Sequence, residues 1–331
     1  MSTLRPELHV TAERGILDAA AGMLRNGEDW HLFYQYETEP GAPTRWAHQY
    51  SEGNPFDFYE CNDVIAPVGG ETRVLAGCVV ASKTGTSLYF TSETSAGTTI
   101  QVAHVDDTEA LCEHLDESDE VDPGVRRLGP VVKDTGRFVR FRSPFVIPDW
   151  EENNDRDQGQ AGWLMLASTG PEEEPVPVVL ESTDQETWTI IGPLGFAGES
   201  GIPADARTVA PRIIRLRDEV DNVIYDVLFL TQEREDGEIS GYLVGTLDGS
   251  EFQVTTPFTR LDHGHDFTRP RSTNVVPGTH TDDERYAEAR IFGLLASSGR
   301  GGDPTTQPTW ETEGWANALS LPRVVTLAGG K

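Results

Sequence analysis

The chain has 331 residues, 37% hydrophobic and 8% aromatic with seven tryptophans, which is ample apolar material for a packed core. Its 26 basic and 55 acidic residues give a formal net charge of −29 at pH 7. Such a surface repels phosphate backbones and anionic lipid headgroups, so neither nucleic acid nor membrane is an expected partner.

Short alternating or β-branched runs separated by turn chemistry are the strand signal, and they recur along the whole chain. In order, the strongest cover residues 30–35, 87–91, 163–167, 225–230 and 290–295. A spacing of roughly 55 to 75 residues, repeated five times, predicts five copies of one antiparallel unit, as in a propeller. Within a unit a first strand precedes the apolar run, as at residues 76–80, 143–147 and 211–215, and an outer strand follows, as at 100–104, 178–181 and 241–245. First strands of such units line a central channel, so residues near their starts, although distant in sequence, converge at one mouth. Residues 149–160 and 171–177 are polar or proline-bearing and read as loops. No long amphipathic helix stands out. The expectation is an all-β chain forming a single five-bladed β-propeller domain over residues 1–331.

Other features carry no chemistry of their own. Charge runs at residues 116–120 and 172–174 read as solvated loop tips. Only three lysines occur, Lys83, Lys133 and Lys331, so the positive charge is almost all arginine. Cys61, Cys78 and Cys112 are odd in number and widely spaced, which indicates neither a disulfide framework nor a zinc site. His263, His265 and Asp266 lack the spacing of common zinc motifs. No metal or cofactor is expected. Ser143 has no G-x-S-x-G elbow around it. With no uninterrupted apolar leader and no stretch of membrane-spanning length, a cytoplasmic location is the simplest expectation.

Three stretches hold the functional interest: Ile16-Leu-Asp-Ala-Ala-Ala-Gly22, Phe141-Arg-Ser-Pro144 and Thr208-Val-Ala-Pro211. Together with Leu4-Arg-Pro-Glu-Leu-His9, Trp30-His-Leu-Phe-Tyr-Gln-Tyr36 and Gly314-Trp-Ala-Asn-Ala-Leu-Ser-Leu-Pro-Arg323, they resemble glycoside hydrolase family 32, the invertases, levanases and inulinases. The resemblance spans about residues 4 to 327. It implies a five-bladed propeller, followed in full-length members by a C-terminal β-sandwich; the sequence stops at Lys331, so the expectation is a propeller without that sandwich, either by nature or by truncation. It also implies three acids. The nucleophile of the WMNDPNG motif falls at Ala19, the stabiliser of the RDP motif at Ser143, and the acid/base of the ECP motif at Val209. Secondary matches are Gln35 at the substrate-binding Gln, Trp46-Ala-His-Gln-Tyr-Ser51 to WGHAxS, and Asp262-His-Gly-His-Asp-Phe267 to the late GxDFYA segment.

Retaining glycoside cleavage needs one carboxylate to attack the anomeric carbon and a second to protonate the leaving oxygen, about 5 to 5.5 Å apart. Alanine and valine do neither, and losing such residues costs on the order of 10⁶-fold in turnover. The polar set expected at the mouth is Asp18, Gln35, Trp46, His48, Arg142, Ser143, Arg212, His265, Asp266 and Trp315, with Arg269 and Arg271 nearby. Such a mixture suits a sugar. The excess of arginine suits a sugar phosphate, so the expected partner is a small carbohydrate or its phosphate. The leading expectation is therefore a carbohydrate-binding protein with degraded catalytic motifs. One alternative is an active β-fructofuranosidase-like hydrolase that uses Asp18 or Asp266. Another is a propeller scaffold that binds a protein through its rim.

Overall fold

The computed structural model describes residues 4–82, 84–113, 121–149, 162–235, 237–264, 266–296 and 302–331. Its elements are almost all strands, grouped in five antiparallel blades. Blade 1 holds β1 (Gly15–Asn26), β2 (Asp29–Glu37), β3 (Arg45–Ser51) and β4 (Tyr59–Ile65). Blade 2 holds β5 (Glu71–Ser82), β6 (Gly85–Thr94), β7 (Gly97–Val105) and β8 (Val125–Val132). Blade 3 holds β9 (Arg142–Asp149), β10 (Gly162–Thr169), β11 (Val176–Ser182) and β12 (Thr189–Pro193). Blade 4 holds β14 (Arg207–Arg217), β15 (Ile224–Arg234), β16 (Gly237–Asp248) and β17 (Glu251–Arg260), with the short β13 (Gly195–Ala197) added at its edge. Blade 5 is built on β18 (Phe267–Val275) and β19 (Ala289–Leu295), flanked by β21 (Ala318–Leu319) and β22 (Arg323–Val325). The described helices α1 (Asp282–Ala287) and α2 (Pro308–Glu313) have six residues each. Neither is long and apolar enough to cross a membrane.

The five-bladed propeller expected from the repeat is the fold observed. The ring closes between its last and first blades: β1 pairs in parallel with β18 at Met23↔Thr273 and with β20 (Trp315–Ala316) at Gly15↔Trp315. Second strands lie between neighbouring blades and are buried on both faces; every residue of β2 from Trp30 to Tyr36 is buried. A strand covered on both sides loses its polar alternation and becomes a continuous apolar run, which is why these five strands were the readable ones. Outer strands keep the alternation, as in β8 and β17, because one face meets water. The loop expected at 171–177 ends earlier, with β11 starting at Val176, and residues 150–161 of the other expected loop lie outside the described residues.

Every first strand is bulged at one depth. In blades 2 to 5 two residues face one on the second strand: Ala76 and Gly77 lie between the pairs Leu75↔Thr91 and Cys78↔Tyr89, Ser143 and Pro144 between Arg142↔Ser168 and Phe145↔Leu166. Ala210 and Pro211, then Arg269 and Pro270, repeat the pattern. In β1 the register slips at Asp18, between Leu17↔Tyr36 and Ala19↔Gln35. Ser143, Ala210 and Arg269 have φ of 58°, 52° and 48°, left-handed values that a bulge imposes and that cost a non-glycine residue about 1 kcal/mol or more. Each precedes a proline.

A bulge frees a backbone N–H that must find another partner. The preceding blade provides it. The Ala76 amide donates to Gln35 Oε1 at 2.6 Å, the Ser143 amide to Thr91 Oγ1 at 2.9 Å, and the Arg269 amide to Ser240 Oγ at 3.0 Å. At Gly77 a Cβ would stand 2.0 Å from the carbonyl oxygen of Tyr89 on the neighbouring strand of the same blade and 2.8 Å from Pro144 Cγ of the next blade. The first clash is with backbone, so Gly77→Ala is expected to lower stability by about 2–3 kcal/mol, measured as a fall in the denaturant midpoint. An unchanged midpoint would show that the blades have more room than this.

Candidate functional site

The bulge layer collects Ala19, Ser143 and Val209, the three positions singled out in the sequence. Ala19 follows the β1 bulge, Ser143 lies within the β9 bulge, and Val209 is the last paired residue before the β14 bulge. All three side chains are half-buried. Asp18 is the extra residue of the β1 bulge. Gln35 Nε2 donates to its Oδ2 at 3.3 Å, while Gln35 Oε1 takes the Ala76 amide, so one glutamine ties the Asp18 carboxyl to the next blade. Burial, seconded by the charge of Glu37, pushes the Asp18 pKa up to about 6, against the opposing Gln35 hydrogen bond and Arg73 charge. An acid that titrates near neutrality is what proton transfer requires.

Ser143 is held by an arginine of the next blade. Arg212 Nη2 donates to Ser143 Oγ at 2.8 Å, and its Nη1 donates to the carbonyls of Ser143 at 3.0 Å and Pro211 at 2.6 Å. The guanidinium lies over the Phe145 ring, 5.5 Å from its centroid. Arg271, on blade 5, donates from Nε to the Ala20 carbonyl at 3.1 Å. Arg269 is engaged by Glu238 and Glu233.

Other expected residues lie elsewhere. Arg142 turns away from the axis and donates to the carbonyls of Arg140, Gly170 and Pro171 at 3.0, 2.7 and 3.3 Å, bracing the β10–β11 turn. Trp46 and His48 are fully buried in blade 1, where Trp46 packs edge-on against Phe90 and His48 stacks between His31 and Phe33. Trp315 is 5% exposed beside the start of β1, its Nε1 donating to Glu313 and its ring under Arg5. Asp266 precedes β18, its carbonyl accepting from Ala296. His265 lies outside the described residues.

The fold also makes groupings that sequence spacing does not announce. His31 Nδ1 lies 3.1 Å from His48 Nε2 and 3.8 Å from the Cys112 thiol, although Cys112 is 81 residues away from His31. Burial holds the His31 pKa down to about 4 and that of His48 well below its usual value, so both are neutral. Among the described residues no group of three or more His, Cys, Asp or Glu could hold a metal ion. A cavity of about 520 Å³ opens at the opposite ends of the first strands, where Arg25, Pro148, Arg215 and Asn274 line it. None of the residues expected at the mouth lines it.

The sequence profile described as "Glycosyl hydrolases family 32 N-terminal domain" matches residues 9–331. The chain belongs to glycosyl hydrolase family 32. Among curated family 32 relatives, an invertase of Wickerhamomyces anomalus is 23% identical over 98% of this chain and 56% of its own length, and a levanase of Bacillus subtilis 25% identical over 98% and 45%. The chain thus spans about half the length of these relatives. Two solved family 32 structures share the fold. A fructofuranosidase from Schwanniomyces occidentalis complexed with fructose has a TM-score of 0.73 at 20% identity, over 98% of this chain and 60% of that one. A sucrose-6-phosphate hydrolase from Lactobacillus gasseri has a TM-score of 0.72 at 18% identity, over 100% and 63%.

The raised Asp18 pKa gives a signed prediction. The folded protein holds this proton more tightly than the unfolded chain, whose pKa is near 3.8, so ionising Asp18 costs stability as pH rises from 3.8 through about 6. Asp18→Asn removes that cost. Its stability relative to wild type is expected to improve by about 1–2 kcal/mol between pH 4 and pH 7, with half-exposure discounted. Paired denaturant titrations at the two pH values check this, and a difference that does not change with pH would place the Asp18 carboxyl in water.

Proposed function

We propose that this chain, acting as one propeller unit over residues 1–331, binds a carbohydrate of the β-fructoside class at the bulge-layer mouth of its channel. It does not hydrolyse that carbohydrate at the rate of a working glycosidase. The observation that carries the reading is the occupancy of the three acid positions by Ala19, Ser143 and Val209, with Arg212 hydrogen-bonded to the serine where the family's stabilising carboxylate belongs. Support for the sugar comes from the family, whose named relatives here include an invertase and a levanase. It comes also from the retained Gln35, held by the Ala76 amide in an orientation that presents its Nε2 to Asp18. Asp18, Gln35 and the Trp315 edge are the proposed ligand contacts, and Asp266 stands close enough in sequence to β18 to join them.

A second reading has its own observation. The bulge that sets Asp18 apart from the pairing of Leu17 and Ala19, together with a pKa of about 6, gives the mouth one acid able to exchange a proton near neutrality. A residual hydrolase would use it. A phosphate on the sugar would have to draw Arg142 away from three backbone carbonyls, so the neutral sugar is the favoured ligand. Large exposed apolar side chains are spread over the blades, from Phe56 through Leu128, Val176 and Val220 to Val324, and favour no one rim surface for a protein partner.

Initial rates on sucrose, inulin and levan are expected to fall far below about 1 per second, the lower end of ordinary turnover. Calorimetric titration with fructose is expected to show binding, and with fructose phosphates no tighter binding. Single restorations do little for interdependent groups, so the decisive variant is the double Ala19→Asp, Val209→Glu, expected to gain hydrolysis that neither single change gives. Ordinary turnover by the natural chain, abolished by Asp18→Asn, would establish the second reading instead.

A further inference from the structure

Two arginines on first strands, Arg212 on β14 and Arg271 on β18, are buried, and among the described residues neither has a counter-charge. Arg212 is 1% exposed and Arg271 4% exposed. Among the described residues neither forms an ion pair with a carboxylate, and each leaves a buried N–H donor unpartnered, Nε of Arg212 and Nη1 of Arg271. The acceptors they do reach are neutral: the Ser143 hydroxyl and carbonyl, the Pro211 carbonyl and the Ala20 carbonyl. The other groups facing them leave the charge uncancelled. Cys78 feels both guanidinium groups, but burial raises its thiol pKa to about 12, so it is neutral. Arg269, the remaining charge in their field, is taken up by Glu238 and Glu233.

An arginine keeps its proton at neutral pH, so it cannot escape burial by becoming neutral as lysine or histidine does. A buried charge with no partner is among the costliest arrangements in a protein interior. Arg212 and Arg271 also repel each other, and burial with that repulsion holds the Arg212 pKa well below its usual value. We propose that a small monovalent inorganic anion of the halide class, chloride in ordinary buffers, sits on the propeller axis against the free N–H groups of Arg212 and Arg271. Each of the five first strands contributes to the surrounding ring: Ala20, Cys78, Ser143, Arg212 and Arg271. The near-complete burial of both arginines shuts out a sugar phosphate, and the carbonyl oxygens already lining the ring disfavour a multiply charged oxyanion. The proposal rests on the buried guanidinium groups alone and stands whether or not the mouth above binds sugar.

Two measurements test it. Crystals grown or soaked in sodium bromide are expected to show an anomalous bromine peak within hydrogen-bond reach of Arg212 Nε and Arg271 Nη1. Thermal unfolding is compared in chloride and in glutamate at one fixed ionic strength, because a chain of net charge −29 is stabilised by screening from any salt. Chloride is expected to raise Tm saturably, by about 2–5 °C over glutamate. Ser143→Asp, which places a carboxylate beside Arg212 Nη2, is expected to abolish that difference. No anomalous peak, together with equal Tm values in the two salts, would overturn the proposal; the wild-type bromide experiment decides it even if Ser143→Asp does not fold.

Discussion

The hydrogen bond from a bulge amide to a side chain of the preceding blade is the interaction on which this molecule depends. Apart from β1 and β18, which pair with each other at the ring closure, the first strands are paired on one side only, so a group freed at a bulge must be satisfied across the blade boundary or left to water. Gln35 serves Ala76, Thr91 serves Ser143, and Ser240 serves Arg269. Leaving such a buried amide unsatisfied costs about 1–3 kcal/mol, so these contacts set the depth and rotation of each blade against the last. The bulges in turn aim the residues around them at the axis. Ala19, Ser143 and Val209 each lie at or beside such a bulge.

Charge at this level of the propeller differs from that of the chain as a whole. The whole chain is strongly acidic, yet the ring under the mouth carries Arg212 and Arg271 with no acid beside them. The guanidinium of Arg212 bonds Ser143 through both side chain and backbone. Net charge and local charge have opposite signs within a few strands, and the low dielectric of the channel makes the local sign the one a ligand would feel.

The fold was readable in the sequence for a physical reason. Second strands sandwiched between blades become uninterrupted apolar runs, and Trp30 to Gln35 or Tyr225 to Leu230 announce themselves without any alignment. The stretches around Ala19, Ser143 and Val209 stood out too, because each is a local motif ending in proline or glycine, and the structure sets all three at or beside bulges. Side-chain direction was not readable. Arg142 and Ser143 are adjacent, yet the first braces a turn at Gly170 and the second faces Arg212, since a left-handed φ at Ser143 redirects the chain between them. Trp46 and His48 looked like sugar contacts but fill the core of blade 1, where polarity and aromaticity in the sequence do not reveal which face of β3 is covered. The pairing of Cys112 with His31 and of Thr91 with Ser143 joins residues 81 and 52 apart, separations at which no local pattern exists to be read.

The central claim is that the bulge-layer mouth still holds a sugar that it no longer cleaves. A crystal structure of the natural chain soaked with sucrose tests this most directly. The account predicts an intact disaccharide with its fructosyl ring against Asp18 and Gln35. An empty mouth, or fructose alone after cleavage of the glycosidic bond, would contradict it.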